Sequence, residues 1–169
     1  MNEKELEERF VGLIDRYKQV IYKVCLIYAY DDDVLNDLFQ EVLLNLWKAF
    51  PRFRGECKES TWVYRVALNT CITYIRKEST RIPTISLTVD MESVLDDQDE
   101  HGMMLRKMYQ MISKLDKPER AILMLWLEDK SYEEIADVMN ISKANVGMRL
   151  TRIREKLRNM SEKQLTINK

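Results

Sequence analysis

The residues with the clearest capacity for chemistry lie near the C-terminal end of the 169-residue chain, where basic and polar side chains recur at helical spacing. Val146, Leu150, Ile153 and Leu157 recur every three or four positions, which predicts a helix with one buried face. The opposite face would donate hydrogen bonds to phosphates and to the edges of base pairs. We assign to this candidate duplex-binding face Ser142, Lys143, Asn145, Met148, Arg149, Arg152 and Lys156.

A second, shorter helix is predicted just before this one. Ser131 and Glu134 have the spacing of a capping box, so a helix should begin there. Asn140 can adopt the left-handed conformation that ends a helix, Ile141 would fill the turn, and Ser142 can cap the next helix. Together these signals predict a helix-turn-helix. An ordinary helical hairpin with a solvated basic face would carry the same pattern, so both interpretations stay open on these residues alone.

A second group of candidate nucleic-acid-binding residues lies in the first half of the chain. It begins in a loop after Pro51, where basic residues flank an aromatic one, and continues along a helix predicted over 61–77 with Ser60 or Thr61 as its cap. Unpaired bases stack on aromatic rings, and guanidinium groups hold phosphates. At 100° per residue, the helical members share one side with Trp62 as an exposed indole; a position at the rim of the core is the alternative for Trp62. The group consists of Phe53, Arg54, Lys58, Trp62, Arg65, Asn69 and Arg76.

A small acidic and amide patch interrupts an otherwise apolar helix predicted over 34–50. Asp37, Gln40 and Glu41 lie at helical spacing on one side of it. Such a patch is either a solvated edge or a docking surface for a protein partner.

The composition favours helix throughout, since the chain has only four glycines and three prolines. Further helices are predicted over 5–29, over 104–115 and after a cap at Asp116. The net charge of −1 conceals a basic C-terminal end and an acidic segment over 86–100. The sequence therefore predicts an all-α protein with a nucleic-acid-binding end and an acidic linker.

Catalysis and cofactor binding are not predicted. The cysteines Cys25, Cys57 and Cys71 form no CxxC pair, and His101 is the single histidine, so we expect buried, reduced thiols and no metal site. No glycine-rich phosphate loop occurs, and we predict neither an enzyme nor a cofactor. The charged N-terminus lacks an apolar signal segment, and the run 121–127 is shorter than the ~20 residues that span a bilayer, so a soluble, cytoplasmic protein is expected.

Three ordered motifs carry a family resemblance. DLFQEVLLNLW (37–47), FRGECKESTWVYRVALNT (53–70) and the C-terminal helix-turn-helix resemble bacterial sigma factors of the extracytoplasmic-function (ECF) type, small sigma-70 relatives with only regions 2 and 4. The resemblance implies two small helical domains, region 2 over 5–78 and region 4 over 104–162, joined by a flexible acidic linker over 79–103.

The resemblance also implies what each group of residues does. The patch of Asp37, Gln40 and Glu41 would dock on the β′ clamp helices of core RNA polymerase, and region 4 would hold the β flap. The Phe53 loop and the Trp62 side of its helix would recognise and open the −10 element of promoter DNA, and the last helix would read the −35 element. Many relatives are held by an anti-sigma factor, but no residue here identifies one. Gly147 and Met148 depart from the basic or small polar pair common in the family, so the −35 sequence cannot be inferred from relatives.

Two other classes of protein fit part of the pattern. A stand-alone helix-turn-helix transcriptional regulator would share the C-terminal half, but it would bind DNA as a dimer and need no strand-opening face. A helical interaction protein such as an anti-activator would use neither basic face. A monomeric free state favours the sigma interpretation, and a stable dimer favours the regulator.

Overall fold

The computed structural model describes residues 2–81, 107–108 and 110–167. All regular elements within these ranges are helical, and they form two compact units that are described separately below. None of the helices in these ranges is long and apolar enough to cross a bilayer. The predicted acidic linker, from residue 82 to its end at 103, lies outside the described residues.

The first unit contains three long helices and one short turn of 3-10 helix. Asn2 and Glu5 form a capping box at the start of the first helix, and Asp31 Oδ1 accepts the Val34 N–H (2.7 Å) at the start of the second. The three predicted helices are all present. Their bounds are Glu3–Tyr28 (α1), Asp32–Ala49 (α2) and Glu59–Arg81 (α3), with the 3-10 turn at Phe50–Arg52.

The core of the first unit forms where the three helices pack on one another. Its fully buried side chains include Leu13 and Ile21 of α1, Leu38 and Leu46 of α2, and Val63 of α3. These residues lie on single faces of their helices, so burying them also fixes which face of each helix is exposed.

The start of α3 differs from its predicted position. Ser60 or Thr61 was expected to cap this helix, but it begins at Glu59, and the Lys58 carbonyl accepts the Trp62 N–H (3.1 Å). Thr61 is buried inside the first turn instead. The cap prediction was wrong because both residues lie inside the helix, where Thr61 is buried.

Two of the three cysteines match the prediction of buried thiols. Cys25 and Cys71 are fully buried between α1 and α3, with their sulfur atoms 3.9 Å apart. The hydrogen bond to Cys25, together with burial, raises the pKa of the Cys71 thiol, which therefore stays protonated. Cys57 is only half-buried because it lies in the loop before α3, so the prediction was wrong for that residue.

The second unit contains a helical segment that includes residues 107–108 and 110–113 (α4), followed by Lys117–Leu127 (α5), Tyr132–Met139 (α6) and Lys143–Ile167 (α7). Its fully buried residues include Ile122 and Leu125 of α5, Ile135 of α6, and Leu150 and Ile153 of α7. Helices α5, α6 and α7 each pack on the other two.

The turns of the second unit follow the predicted chemistry closely. Asp116 with Glu119 and Ser131 with Glu134 both form complete capping boxes. Asn140 ends α6 in the left-handed conformation (φ 54°), which brings the Ile141 N–H to the Ala136 carbonyl at 3.1 Å.

Two features of the second unit were not predicted. Arg120 reaches back over the preceding turn, where its Nε donates to the Leu115 carbonyl (2.9 Å) and its Nη2 to the Ser113 carbonyl (2.6 Å). Trp126 is 37% exposed, and the guanidinium carbon of Arg154 lies 4.6 Å from its ring centroid. The indole of Trp126 therefore lies at the surface against a cation and not in the core.

The left-handed residue between α6 and α7 gives a first testable prediction. Replacing Asn140 by Val should lower the free energy of unfolding by about 1–2 kcal/mol, since a β-branched side chain clashes with its own backbone at positive φ. Asn140→Gly is the matched control and should stay within about 0.5 kcal/mol of the wild type. Urea unfolding of the purified chain measures both, and equal stability of the two variants would contradict the prediction.

Candidate nucleic-acid interface

Helix α7 has two faces, as its residue spacing predicted. Val146, Leu150 and Ile153 are buried against the rest of the second unit, and Leu157 is half-buried. On the opposite side Met148 is 57% exposed, and Arg152 and Lys156 are also exposed. This outer face can approach another molecule without disturbing the core.

The start of α7 holds a short chain of hydrogen bonds on that outer face. Ser142 Oγ accepts the Asn145 N–H (3.1 Å), which confirms Ser142 as the cap of this helix. Asn145 Oδ1 in turn accepts from Arg149 Nε (3.0 Å), and both side chains are half-buried. The amide and the guanidinium group are therefore held in a defined orientation before any ligand binds.

The lysines at the two ends of this face make ion pairs within the second unit. Lys143 Nζ lies 3.0 Å from Glu133 Oε1 of α6, and Lys156 Nζ pairs with Glu119 Oε1 of α5. Neither acid was predicted, because Glu133 lies 10 positions before Lys143 and Glu119 lies 37 positions before Lys156, and no local spacing relates them. Of the predicted residues on this face, Met148 and Arg152 project as exposed side chains, while Asn145 and Arg149 bind each other.

Gly147 faces the ring of Tyr132. A Cβ atom built on Gly147 would lie 3.6 Å from Tyr132 Cε2, which is an ordinary van der Waals contact. The glycine is therefore not required by close packing against α6.

The loop after α2 is organised by stacked aromatic rings. Phe53 stacks on Trp62, with ring centroids 4.8 Å apart and planes inclined by 23°, and Phe50 lies 6.2 Å from Trp62. Both Phe53 and Trp62 are half-buried, so Trp62 has the position at the rim of the core that was the alternative to an exposed indole. The reason is the loop itself, which folds back and covers part of the indole.

The other predicted residues of this group are spread along the loop and α3. Arg54 and Lys58 are exposed in the loop, and Arg65 is half-buried with its Nη1 3.9 Å from Cys57 Sγ. Asn69 and Arg76 occupy exposed positions further along α3. The structure thus brings Phe53 and Trp62 into contact, with Arg65 next to the same loop.

The acidic and amide patch of α2 lies beside α3. Asp37, Gln40 and Glu41 are all exposed. Asp37 Oδ2 accepts from the Tyr74 hydroxyl (3.4 Å), so this carboxylate also contacts α3. Burial, followed by the charge of Asp37, raises the pKa of Tyr74, which keeps the phenol protonated and able to donate.

A groove of about 370 Å³ lies between Glu41 of this patch and the outer side of α3. One hydrogen bond beside the groove links α2 to α3: Asn45 Nδ2 donates to Thr70 Oγ1 (3.1 Å). The Thr70 hydroxyl in turn donates to the Val66 carbonyl (2.7 Å). Asn45 and Tyr74 were not predicted, since each is a polar residue within an otherwise apolar pattern and its partner is on another helix. The groove is lined by Glu41, Asn45, Asn69, Thr70, Thr73, Tyr74 and Lys77.

Comparison with known proteins finds two matching stretches, Sigma-70 region 2 over residues 13–81 and Sigma-70 region 4 over residues 105–157. The ECF RNA polymerase sigma-E factor of Haemophilus influenzae is 29% identical over 166 residues, which cover 90% of this chain and 87% of that protein. The RNA polymerase sigma-H factor of Pseudomonas aeruginosa is 30% identical over 156 residues, covering 85% and 81%.

Among solved structures, the sigma factor RpoE of Bartonella quintana in complex with the anti-sigma factor NepR has the same fold. The TM-score is 0.69 at 16% identity, and the match covers 94% of this chain and 98% of that one.

The two helical units and the stretches they match define a transcription-initiation protein with a region 2 and a region 4. The chain belongs to the sigma-70 family of RNA polymerase sigma factors, within its ECF group. Both the family resemblance and the all-α fold predicted from the sequence are confirmed. Proteins of this family direct transcription and are not themselves the catalyst.

The space beside Gly147 gives a second prediction. Gly147→Ala should raise the free energy of unfolding by up to about 1 kcal/mol, because alanine restricts the unfolded chain and the new methyl group fits against Tyr132. Ala144→Gly, on the same helix, should shift stability in the opposite direction. Urea midpoints of the two variants measure this, and a lower midpoint for Gly147→Ala would show that Tyr132 needs the glycine.

Proposed function

We propose that this chain binds core RNA polymerase, reads the −35 element with α7, and recognises and opens the −10 element with the Phe53 loop and the outer side of α3. The observation that carries this proposal is the oriented pair of Asn145 and Arg149 on the exposed face of a helix-turn-helix. The membership of the ECF group supplies the polymerase as partner.

Reading the −35 duplex requires a helix in the major groove, where every base pair shows a distinct set of donors and acceptors. The first turns of α7 offer the amide of Asn145 and the guanidinium of Arg149, side chains suited to adenine and guanine respectively. Arg152 is exposed further along and would contact phosphate.

Opening the −10 element requires a surface that binds unpaired bases better than paired ones. The stacked rings of Phe53 and Trp62 each keep an exposed part, and stacking on an aromatic ring is worth about 1–3 kcal/mol per base. Arg54 and Lys58 in the same loop would hold the backbone of the separated strand.

Docking on the polymerase is assigned to two surfaces. The exposed patch of Asp37, Gln40 and Glu41 would bind the β′ clamp helices, and the second unit would hold the β flap. An anti-sigma factor is a further proposed partner, since the RpoE relative was solved with one. We expect the free chain to be a monomer, because the polymerase and not a second copy supplies the other contacts.

The deciding experiment mixes the full chain with bacterial core RNA polymerase and a promoter library. Sequencing of the run-off transcripts and mapping of open complexes should identify a defined subset of promoters that core enzyme alone does not use. Failure to bind core, combined with tight duplex binding by a dimer of the chain, would overturn the proposal in favour of a stand-alone regulator.

Arg149→Ala should weaken binding of the holoenzyme to its −35 element by about 1–3 kcal/mol, since the side chain would contact a base edge. The control Arg158→Ala removes the same charge from the same helix, just after the region 4 match ends at residue 157. It should weaken binding to the −35 element much less. Competition binding with promoters altered at single −35 positions measures the loss. A uniform loss across all sequences would mean that Arg149 contacts phosphate.

Trp62→Ala should impair strand opening more than initial duplex binding, because the indole would contact bases only after they separate. Trp62→Phe keeps an aromatic surface next to Phe53 and should retain more of the opening activity. Permanganate reactivity of unpaired thymines reports opening, and gel shift reports duplex binding. Equal loss in both assays, with a lower unfolding midpoint, would point to simple destabilisation of the first unit.

A further inference from the structure

The two lysines of the α7 outer face are both held by carboxylates from earlier helices of the same unit. Lys156 Nζ pairs with Glu119 Oε1 of α5, and Lys143 Nζ lies 3.0 Å from Glu133 Oε1 of α6. These lysines are among the residues that would otherwise attract DNA phosphates. Their charge is therefore partly satisfied before DNA arrives.

The pair at Glu119 is the better fixed of the two. Glu119 Oε2 accepts the Asp116 N–H (3.1 Å), so both carboxylate oxygens have a partner, and only 13% of the side chain is exposed. The Glu133 side chain is 73% exposed, where water and salt screen an ion pair strongly. The Glu119 carboxylate is thus a nearly fixed negative charge beside the distal part of the outer face.

We propose that Glu119 is a positioning residue of the DNA interface, which holds Lys156 against α5 and competes with DNA phosphates for its ammonium group. The inference rests on the proposed function, in which α7 binds duplex DNA. Lys156 then adds little affinity that is independent of sequence. Asn145 and Arg149 therefore contribute a larger share of the total free energy of DNA binding, which makes binding more selective for sequence.

The competition between Glu119 and DNA phosphates can be measured through the salt dependence of DNA affinity, which reports the release of counterions. A lysine that neutralises a phosphate releases about 0.9 of a cation from duplex DNA, which steepens the fall of affinity with salt. In the wild type, Lys156 must leave Glu119 to bind a phosphate, and the free Glu119 carboxylate then takes up a cation from solution. This uptake offsets part of the cation release from DNA. Without the Glu119 charge there is no such uptake, so the net cation release should be larger.

The test compares the full chain with Glu119→Gln by fluorescence anisotropy on a random-sequence duplex, over about 50 to 200 mM salt. Glutamine keeps an oxygen for the Asp116 N–H, so the cap of α5 can persist. We expect about two- to fivefold tighter binding and a slope of log affinity against log salt that is steeper by up to about 0.9.

Two controls separate this contact from general charge. Glu162→Gln makes the same charge change on the exposed surface of α7, beyond Lys156, and should leave the slope unchanged. In a Lys156→Gln background, Glu119→Gln should no longer tighten binding, since the competed ammonium is gone. Urea midpoints confirm that each variant is folded.

The inference would be overturned by an unchanged salt slope, by weaker binding of Glu119→Gln, or by a gain in affinity that persists when Lys156 is replaced. It would also be overturned if neither the wild-type chain nor Glu119→Gln binds duplex DNA at the lowest salt. The library transcription assay tests the proposed function separately. A steeper salt slope for Glu119→Gln without promoter-specific transcription would support the competition by Glu119 and contradict the proposed role in initiation.

Discussion

Burial of Val146, Leu150 and Ile153 is the constraint on which the second unit depends. A helix can turn only one side to a core, so the burial of these three side chains sets the rotation of α7 about its axis. That rotation decides that Asn145, Arg149 and the other polar residues face outward. The short α6 and its left-handed end then set the direction in which α7 leaves the turn.

Burial of one face also sets the rotation of α3 in the first unit, where polar contacts between α2 and α3 contribute as well. Val63, Ala67 and Cys71 are buried on one side of α3, which turns Asn69 and Arg76 towards solvent. Two polar contacts, from Asn45 to Thr70 and from Tyr74 to Asp37, cross between α2 and α3. Apolar packing alone tolerates small sliding of one helix on another, whereas the directional bond from Asn45 to Thr70 (3.1 Å) favours one register of the pair.

Local signals in the sequence predicted the parts of the structure that local chemistry controls. The capping boxes at Asp116 and Ser131 and the left-handed Asn140 depend only on residues a few positions away, and all were confirmed or completed in the structure. The features that escaped prediction join distant positions: the Glu119 pair with Lys156, the stacking of Phe53 on Trp62, and the surface position of Trp126 beside Arg154. No periodicity encodes such contacts, because they depend on how separate helices are placed in space.

The hydrogen bond between Tyr74 and Asp37 has a thermodynamic consequence. Asp37 belongs to the patch that we propose docks on the polymerase, while Tyr74 belongs to the helix that we propose binds the −10 element. A ligand that draws the Asp37 carboxylate away from the phenol changes the energy of α3, and linkage requires that a ligand of α3 alter the affinity for the first ligand by the same factor. The coupling that this contact carries between the two proposed surfaces is small, because 3.4 Å is long for an O–H···O hydrogen bond and Asp37 is exposed to water.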